Sequence, residues 1–97
     1  MTDIIKLIGL PAVLEQLGEE GGEMVQAALK YARRKRGENP TPKSEMECLD
    51  NLTEEIADVE LCINILILSG VVDEDRVAAV MKNKETRWRE RIREQGQ

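Results

Sequence analysis

Leu17-Gly18-Glu19-Glu20-Gly21-Gly22-Glu23 is an acidic cluster inside a long amphipathic pattern. Around it the apolar positions run Leu10, Val13, Leu14, Leu17, Gly21, Met24, Val25, Ala28, Leu29 and Ala32, the three-four repeat of a core-facing helix. The helix is predicted from Leu10, with Pro11 in its first turn, to about Arg36. Glu20 and Glu23, three residues apart, leave one face of it about one turn apart along the axis. Gly18, Gly21 and Gly22 each cost roughly 1 kcal/mol relative to Ala in a helix interior, so another backbone or a ligand is expected to approach closely there.

Reading outward, residues 2 to 9 form a short lead-in that Gly9 interrupts. The cations Lys30, Arg33, Arg34, Lys35 and Arg36 sit where the negative end of the helix dipole favours them, and Gly37 follows as the stop. Residues 37 to 43, with Pro40 and Pro42, read as a loop. Ser44 and Glu47 make a capping box for a second helix that ends at Ser69 before Gly70. Along it Leu49, Leu52, Ile56, Val59 and Ile63 form one stripe, with Glu55, Asp58 and Cys62 at its edge. From Leu61 to Leu68 the helix is apolar nearly all round, which implies burial against a second subunit. Asp73 caps a third helix through Val77, Val80 and Met81 that becomes highly charged from Lys82 onward. The predicted architecture is all-α: an antiparallel helical hairpin plus a third helix in one domain over residues 1–97, with its core from about 10 to 92, completed into a four-helix-type bundle by oligomerisation.

Composition agrees with that class. A chain of 97 residues buries only about two thirds of its unfolded surface, which favours a partner subunit. With no Phe and only Tyr31 and Trp88 as aromatics, the core is aliphatic, as in a helical bundle. A net charge of −5 argues against bulk nucleic-acid binding. Cys48 and Cys62 form no CxxC, and no signal peptide is evident, so reduced thiols and a cytoplasmic location are expected. The run from Leu61 to Leu68 is too short to cross a bilayer. With no histidine, a metal site needs oxygen ligands or the two thiols; hard divalent ions, Mg²⁺ or Mn²⁺ in its place, suit oxygen best.

The acids are repeated. Glu54-Glu55-Ile56-Ala57-Asp58 again sets a double Glu three residues before another carboxylate. A lone acid pair on a helix is ordinarily a solvated face. In an antiparallel hairpin, however, Glu20 and Glu23 confront Glu55 and Asp58, and four converging carboxylates repel one another unless a cation joins them. A ferritin-like di-iron centre needs Glu-x-x-His motifs and is excluded by the missing histidine.

Glu19-Glu20-x-x-Glu23 followed by Glu54-Glu55-x-x-Asp58 resembles the EExxE…ExxD signature of the all-α nucleoside triphosphate pyrophosphohydrolases, the MazG-like superfamily, and the segment Leu52 to Glu60 is similar to its compact phage-type members. Lys84-x-x-Arg87-x-x-x-Arg91 resembles the basic segment that follows in those members, so the likeness covers roughly residues 15 to 92. The resemblance implies Mg²⁺-dependent hydrolysis of a nucleoside triphosphate to the monophosphate and pyrophosphate, in a homodimer or homotetramer. It implies Glu20, Glu23, Glu55 and Asp58 as metal ligands, with Glu19 and Glu54 assisting the metal or activating water. Lys84, Arg87 and Arg91 are candidate phosphate contacts, weighed evenly against a solvated face; the cluster at Arg33 to Arg36 carries less weight in that role. Trp88 is read as a hydrophobic contact with the bundle rather than a base-stacking residue. A phosphoribosyl-ATP pyrophosphohydrolase, which shares a segment much like Gly18 to Glu23, and a non-catalytic helical dimerisation module are the competing readings.

Overall fold

The computed structural model describes residues 3–38 and 43–96 and is all-helical, with no strand among the described residues. Helix α1 spans Ile4–Ile8, α2 Leu10–Arg36, α3 Glu45–Leu68 and α4 Glu74–Gln95. Several boundaries have a local chemical cause. The Asp3 carboxylate accepts from the Ile5 amide (2.9 Å), and the Asp73 carboxylate accepts from Asp75 (2.9 Å) and Arg76 (3.3 Å). Ser44 Oγ accepts from the Glu47 amide while Glu47 Oε1 accepts from the Ser44 amide, both at 3.1 Å, completing the predicted capping box. That amide holds the Glu47 carboxyl below its usual range. Gly37, at φ 73°, takes the left-handed conformation that ends α2 and donates to the Arg34 carbonyl. Pro40 and Pro42 of the predicted loop lie outside the described residues. Ser44→Ala is expected to cost about 1 kcal/mol, read by urea unfolding, because it strips one half of this box.

Helices α2 and α3 pack as an antiparallel hairpin. On α2 the line facing α3 is Leu10, Val13, Leu17, Glu20, Met24, Ala27 and Tyr31; on α3 it is Cys48, Leu52, Glu55, Val59, Cys62 and Leu66, every one buried or half-buried. Steps of three and four alternate without a break, the 3.5-residue repeat of a left-handed helix pair. The expected stripe on α3 is therefore rotated. Leu49, Ile56 and Ile63 fall outside the seam, whereas Glu55 lies within it and Cys62 is buried. One neighbouring helix covers only two positions in seven, so the third apolar position of each heptad stays open.

The glycine expectation is also corrected within the chain. A Cβ at Gly18, Gly21 or Gly22 would meet nothing within 4 Å, and α2 runs through all three unbroken. Among the described residues, no element of the chain comes that close to them.

Helix α4 has no buried residue and packs along neither helix of the hairpin. Trp88, expected against the bundle, is 62% exposed. The Cα radius of gyration is 17.1 Å, against roughly 12.5 Å for a compact chain of this length. The hairpin thus carries nearly all the core: Val13, Ala27, Cys48, Val59, Cys62 and Leu66 are its buried residues. No helix among the described residues is long and apolar enough to cross a membrane.

Candidate metal centre

The seam places two carboxylates where a helix pair normally holds aliphatic groups. Glu20 of α2 and Glu55 of α3 sit mid-hairpin, with Leu17, Met24, Leu52 and Val59 as their neighbours along the same lines. Glu23, one turn beyond Glu20, joins them. One carboxylate oxygen from each of Glu20, Glu23 and Glu55 lies within 4.8 Å of the other two. Oxygens around an octahedral ion with bonds of about 2.1 Å lie roughly 3 to 4.2 Å apart, so small side-chain rotations bring the three into range of one ion.

Glu20 Oε2 and Glu55 Oε2 are closed to solvent and accept no hydrogen bond from the protein. A buried carboxylate oxygen without a partner is costly, and the surroundings offer no relief. The charged groups that act on Glu20 and Glu55 are all carboxylates: Glu23 and Asp58 on both, and Glu20 on Glu55. Desolvation first, then the close carboxyl contact of Glu23 with Glu55 and of Asp58 with Glu20 together with this mutual repulsion, raises both acids above the usual glutamate range. Only Gln16, whose Nε2 donates to Glu20 Oε1 at 2.7 Å, works the other way. The site is therefore short of positive charge, and it is made of the hard oxygen donors that Mg²⁺ and Mn²⁺ take.

Of the four expected ligands the structure brings three together, and Asp58 adjoins them through Glu20. Glu19 and Glu54 are exposed, Glu54 beside Lys43, Glu47, Asp50 and Asn51 in a shallow depression. Lys84, Arg87 and Arg91 are exposed along α4 with Met81, Trp88 and Ile92, on a surface whose walls all come from that one helix. They are not brought to the acids within this chain. Among the cations at the end of α2, Lys35 pairs with Glu45, which raises the Lys35 ammonium and holds the Glu45 carboxyl low, and Lys35 lies 5.8 Å from the centre of the Tyr31 ring.

One neighbour of the site, Gln16, escaped the sequence reading, whereas Cys62 stands beside the acids as its spacing from Glu55 and Asp58 implies. Gln16 precedes Glu20 by four residues, a spacing that brings amide and carboxylate together on any helix. Cys62 is buried close enough to Glu20 and Asp58 for desolvation and their charges to push its thiol up. Against known proteins, the chain matches no family model, no curated protein and no solved structure.

Proposed function

We propose that the chain is a Mg²⁺-dependent nucleoside triphosphate pyrophosphohydrolase, working as a homo-oligomer. The observation that carries the reading is the meeting of Glu20, Glu23 and Glu55 from two helices, with two buried, unpartnered oxygens and only carboxylates as charged neighbours. In this reading Glu20, Glu23 and Glu55 hold the metal, Asp58 completes or orients the set, and Glu19 or Glu54 at the rim accepts a proton from the attacking water. A bound Mg²⁺ would neutralise phosphate oxygens and acidify its water. Rigid seam packing above and below the acids fixes where their oxygens point, which is the positioning that phosphoryl chemistry needs most. Lys84, Arg87 and Arg91 would serve as phosphate contacts only when α4 is brought beside an acid cluster, within the chain or from another copy.

The carboxylate groove does not choose which anhydride bond is broken. That choice rests on the likeness of Glu19-Glu20-x-x-Glu23 and Glu54-Glu55-x-x-Asp58 to the MazG-like signature, which favours attack between the α and β phosphates. Incubation with Mg²⁺ and a panel of nucleoside triphosphates is expected to give monophosphate and pyrophosphate from at least one of them, resolved by anion-exchange chromatography. Glu23→Gln and Asp58→Asn are each expected to abolish this turnover with helical content unchanged, since each removes charge without changing volume. Accumulation of diphosphate and orthophosphate would overturn the assignment, and so would full activity in either variant.

A further inference from the structure

The two helices share more than their acids. Gln16-Leu17-Gly18-Glu19-Glu20-Gly21-Gly22-Glu23 and Asn51-Leu52-Thr53-Glu54-Glu55-Ile56-Ala57-Asp58 run in one order: a carboxamide, a seam leucine, one residue, two glutamates, two residues and a closing acid. In each, the carboxamide stands four residues before the seam glutamate, the spacing at which an amide meets a carboxylate on a helix. The two copies differ in reach. Gln16 Nε2 donates to Glu20 Oε1 at 2.7 Å, whereas Asn51 is one methylene shorter, and none of the groups that act on Glu55 is an amide. Glu20 therefore has unlike oxygens: Oε1 is held by Gln16, and Oε2 is closed to solvent and bare. Gln16 and Glu23 are seven residues apart and lie on one line of α2, so the amide reaches Glu20 from the side on which Glu23 stands.

We propose that Gln16 is a positioning residue that sets which ion the centre takes: by occupying Oε1 it leaves Glu20 as a one-oxygen ligand through Oε2, which favours Mg²⁺ over Ca²⁺. The proposal rests on the metal reading above. Mg²⁺ demands a near-ideal octahedron of oxygens at about 2.0 to 2.1 Å, and the two oxygens of one carboxylate stand too close together to fill two of its corners. Ca²⁺ takes roughly six to eight oxygens at about 2.3 to 2.6 Å in a flexible shell, and readily binds both oxygens of one carboxylate. An amide on Oε1 thus leaves Mg²⁺ its ligand and withholds an oxygen from Ca²⁺. The same hydrogen bond fixes the plane of the Glu20 carboxylate, as partners of ligating groups do in other metal sites. The shorter Asn51 puts no such restriction on Glu55, so the selection falls on Glu20.

The test is thermal melting of the full chain at pH 8 and constant ionic strength, over a series of Mg²⁺ and, separately, Ca²⁺ concentrations, which gives the dissociation constant of each ion. Gln16→Met keeps the length of the side chain, removes the donor and places a good helix former at an exposed position, so the variant is expected to fold, with circular dichroism as the check. Its Mg²⁺ dissociation constant is expected to rise on the order of 10-fold, the lower end of what losing a hydrogen bond to a metal ligand costs, while that of Ca²⁺ is unchanged or falls. The ratio of the two constants decides, because a side chain that only steadied α2 would weaken both ions alike. Gln16→Glu, which keeps the shape and cannot donate at pH 8, is expected to move the ratio the same way even though its charge draws both ions more tightly. A ratio unchanged in either variant, or one that moves toward Mg²⁺, would overturn the proposal and leave the metal reading standing. A wild type whose melting responds to neither ion would overturn both.

Discussion

Glu55→Gln is expected to raise the thermal midpoint of the metal-free protein at pH 8 while erasing its response to Mg²⁺ and its turnover. The two effects have one cause. Glu55 sits in the seam with one oxygen closed to solvent and no donor to satisfy it, and desolvation together with Glu23, Asp58 and Glu20 raises its pKa. At pH 8 the folded chain must hold that group charged against its surroundings. A glutamine keeps the shape and drops the charge, so the bare hairpin gains stability. The same change removes one of three converging ligand oxygens. In the wild type, Mg²⁺ at a hundredfold excess over its dissociation constant is expected to add about 2.7 kcal/mol, a midpoint rise of roughly 10 to 20 °C for a domain of this size. The variant is expected to show only the small shift any divalent salt gives, and turnover at least about 100-fold lower. A variant that is less stable than the wild type without metal, or that keeps the Mg²⁺ shift, would show that Glu55 is a solvated surface acid.

Much of this chain was legible because its punctuation is local. Ser44 with Glu47, Asp73 and Gly37 act through the amides and carbonyls of their own turns, so the helix ends follow from residues a few positions apart. The acid motifs were legible for the same reason: fixed spacing on a helix gives a fixed face. Rotation of the seam was not, because Leu49, Ile56 and Ile63 satisfy a helical stripe as well as Cys48, Glu55 and Cys62 do, and hydrophobicity ranks the first set higher. What decides is the fit of two helices, which favours small Ala27 and Cys48 at the contact and sets Glu20 and Glu55 in the same line, half-buried. The projection of α4 was legible in part, because a helix that turns highly charged from Lys82 onward is free to project or fray near Gln95. What Val77, Val80 and Met81 pack against is not set by their spacing.

Acidification is expected to stabilise the metal-free protein from pH 8 down to about pH 5, against the usual direction for carboxylates. The sign follows from which state binds protons more tightly. In the unfolded chain Glu20 and Glu55 titrate near the ordinary glutamate value of about 4.3, and in the hairpin both titrate above it. Between those values the folded state holds more protons, so lowering the pH through the folded values favours folding, and the gain is complete once the pH is below the unfolded value. Glu45 and Glu47 work in the opposite sense, held low by Lys35 and by the Ser44 amide; their contribution is present above about pH 4.3 and lost as the pH falls through their folded values. A stability maximum in the mildly acid range results. General repulsion from the net charge of −5 also eases on acidification, so the informative quantity is the difference between wild type and Glu55→Gln across the series. A bound Mg²⁺ would replace the protons, so its stabilising shift is expected to be large at pH 8 and to shrink toward pH 5, where protons compete for the same oxygens. Melting curves from pH 5 to 8, with chelator and with saturating Mg²⁺, measure both trends. Parallel pH profiles for wild type and Glu55→Gln, or a Mg²⁺ shift that is the same at both ends of the series, would mean that protons and metal do not share this site.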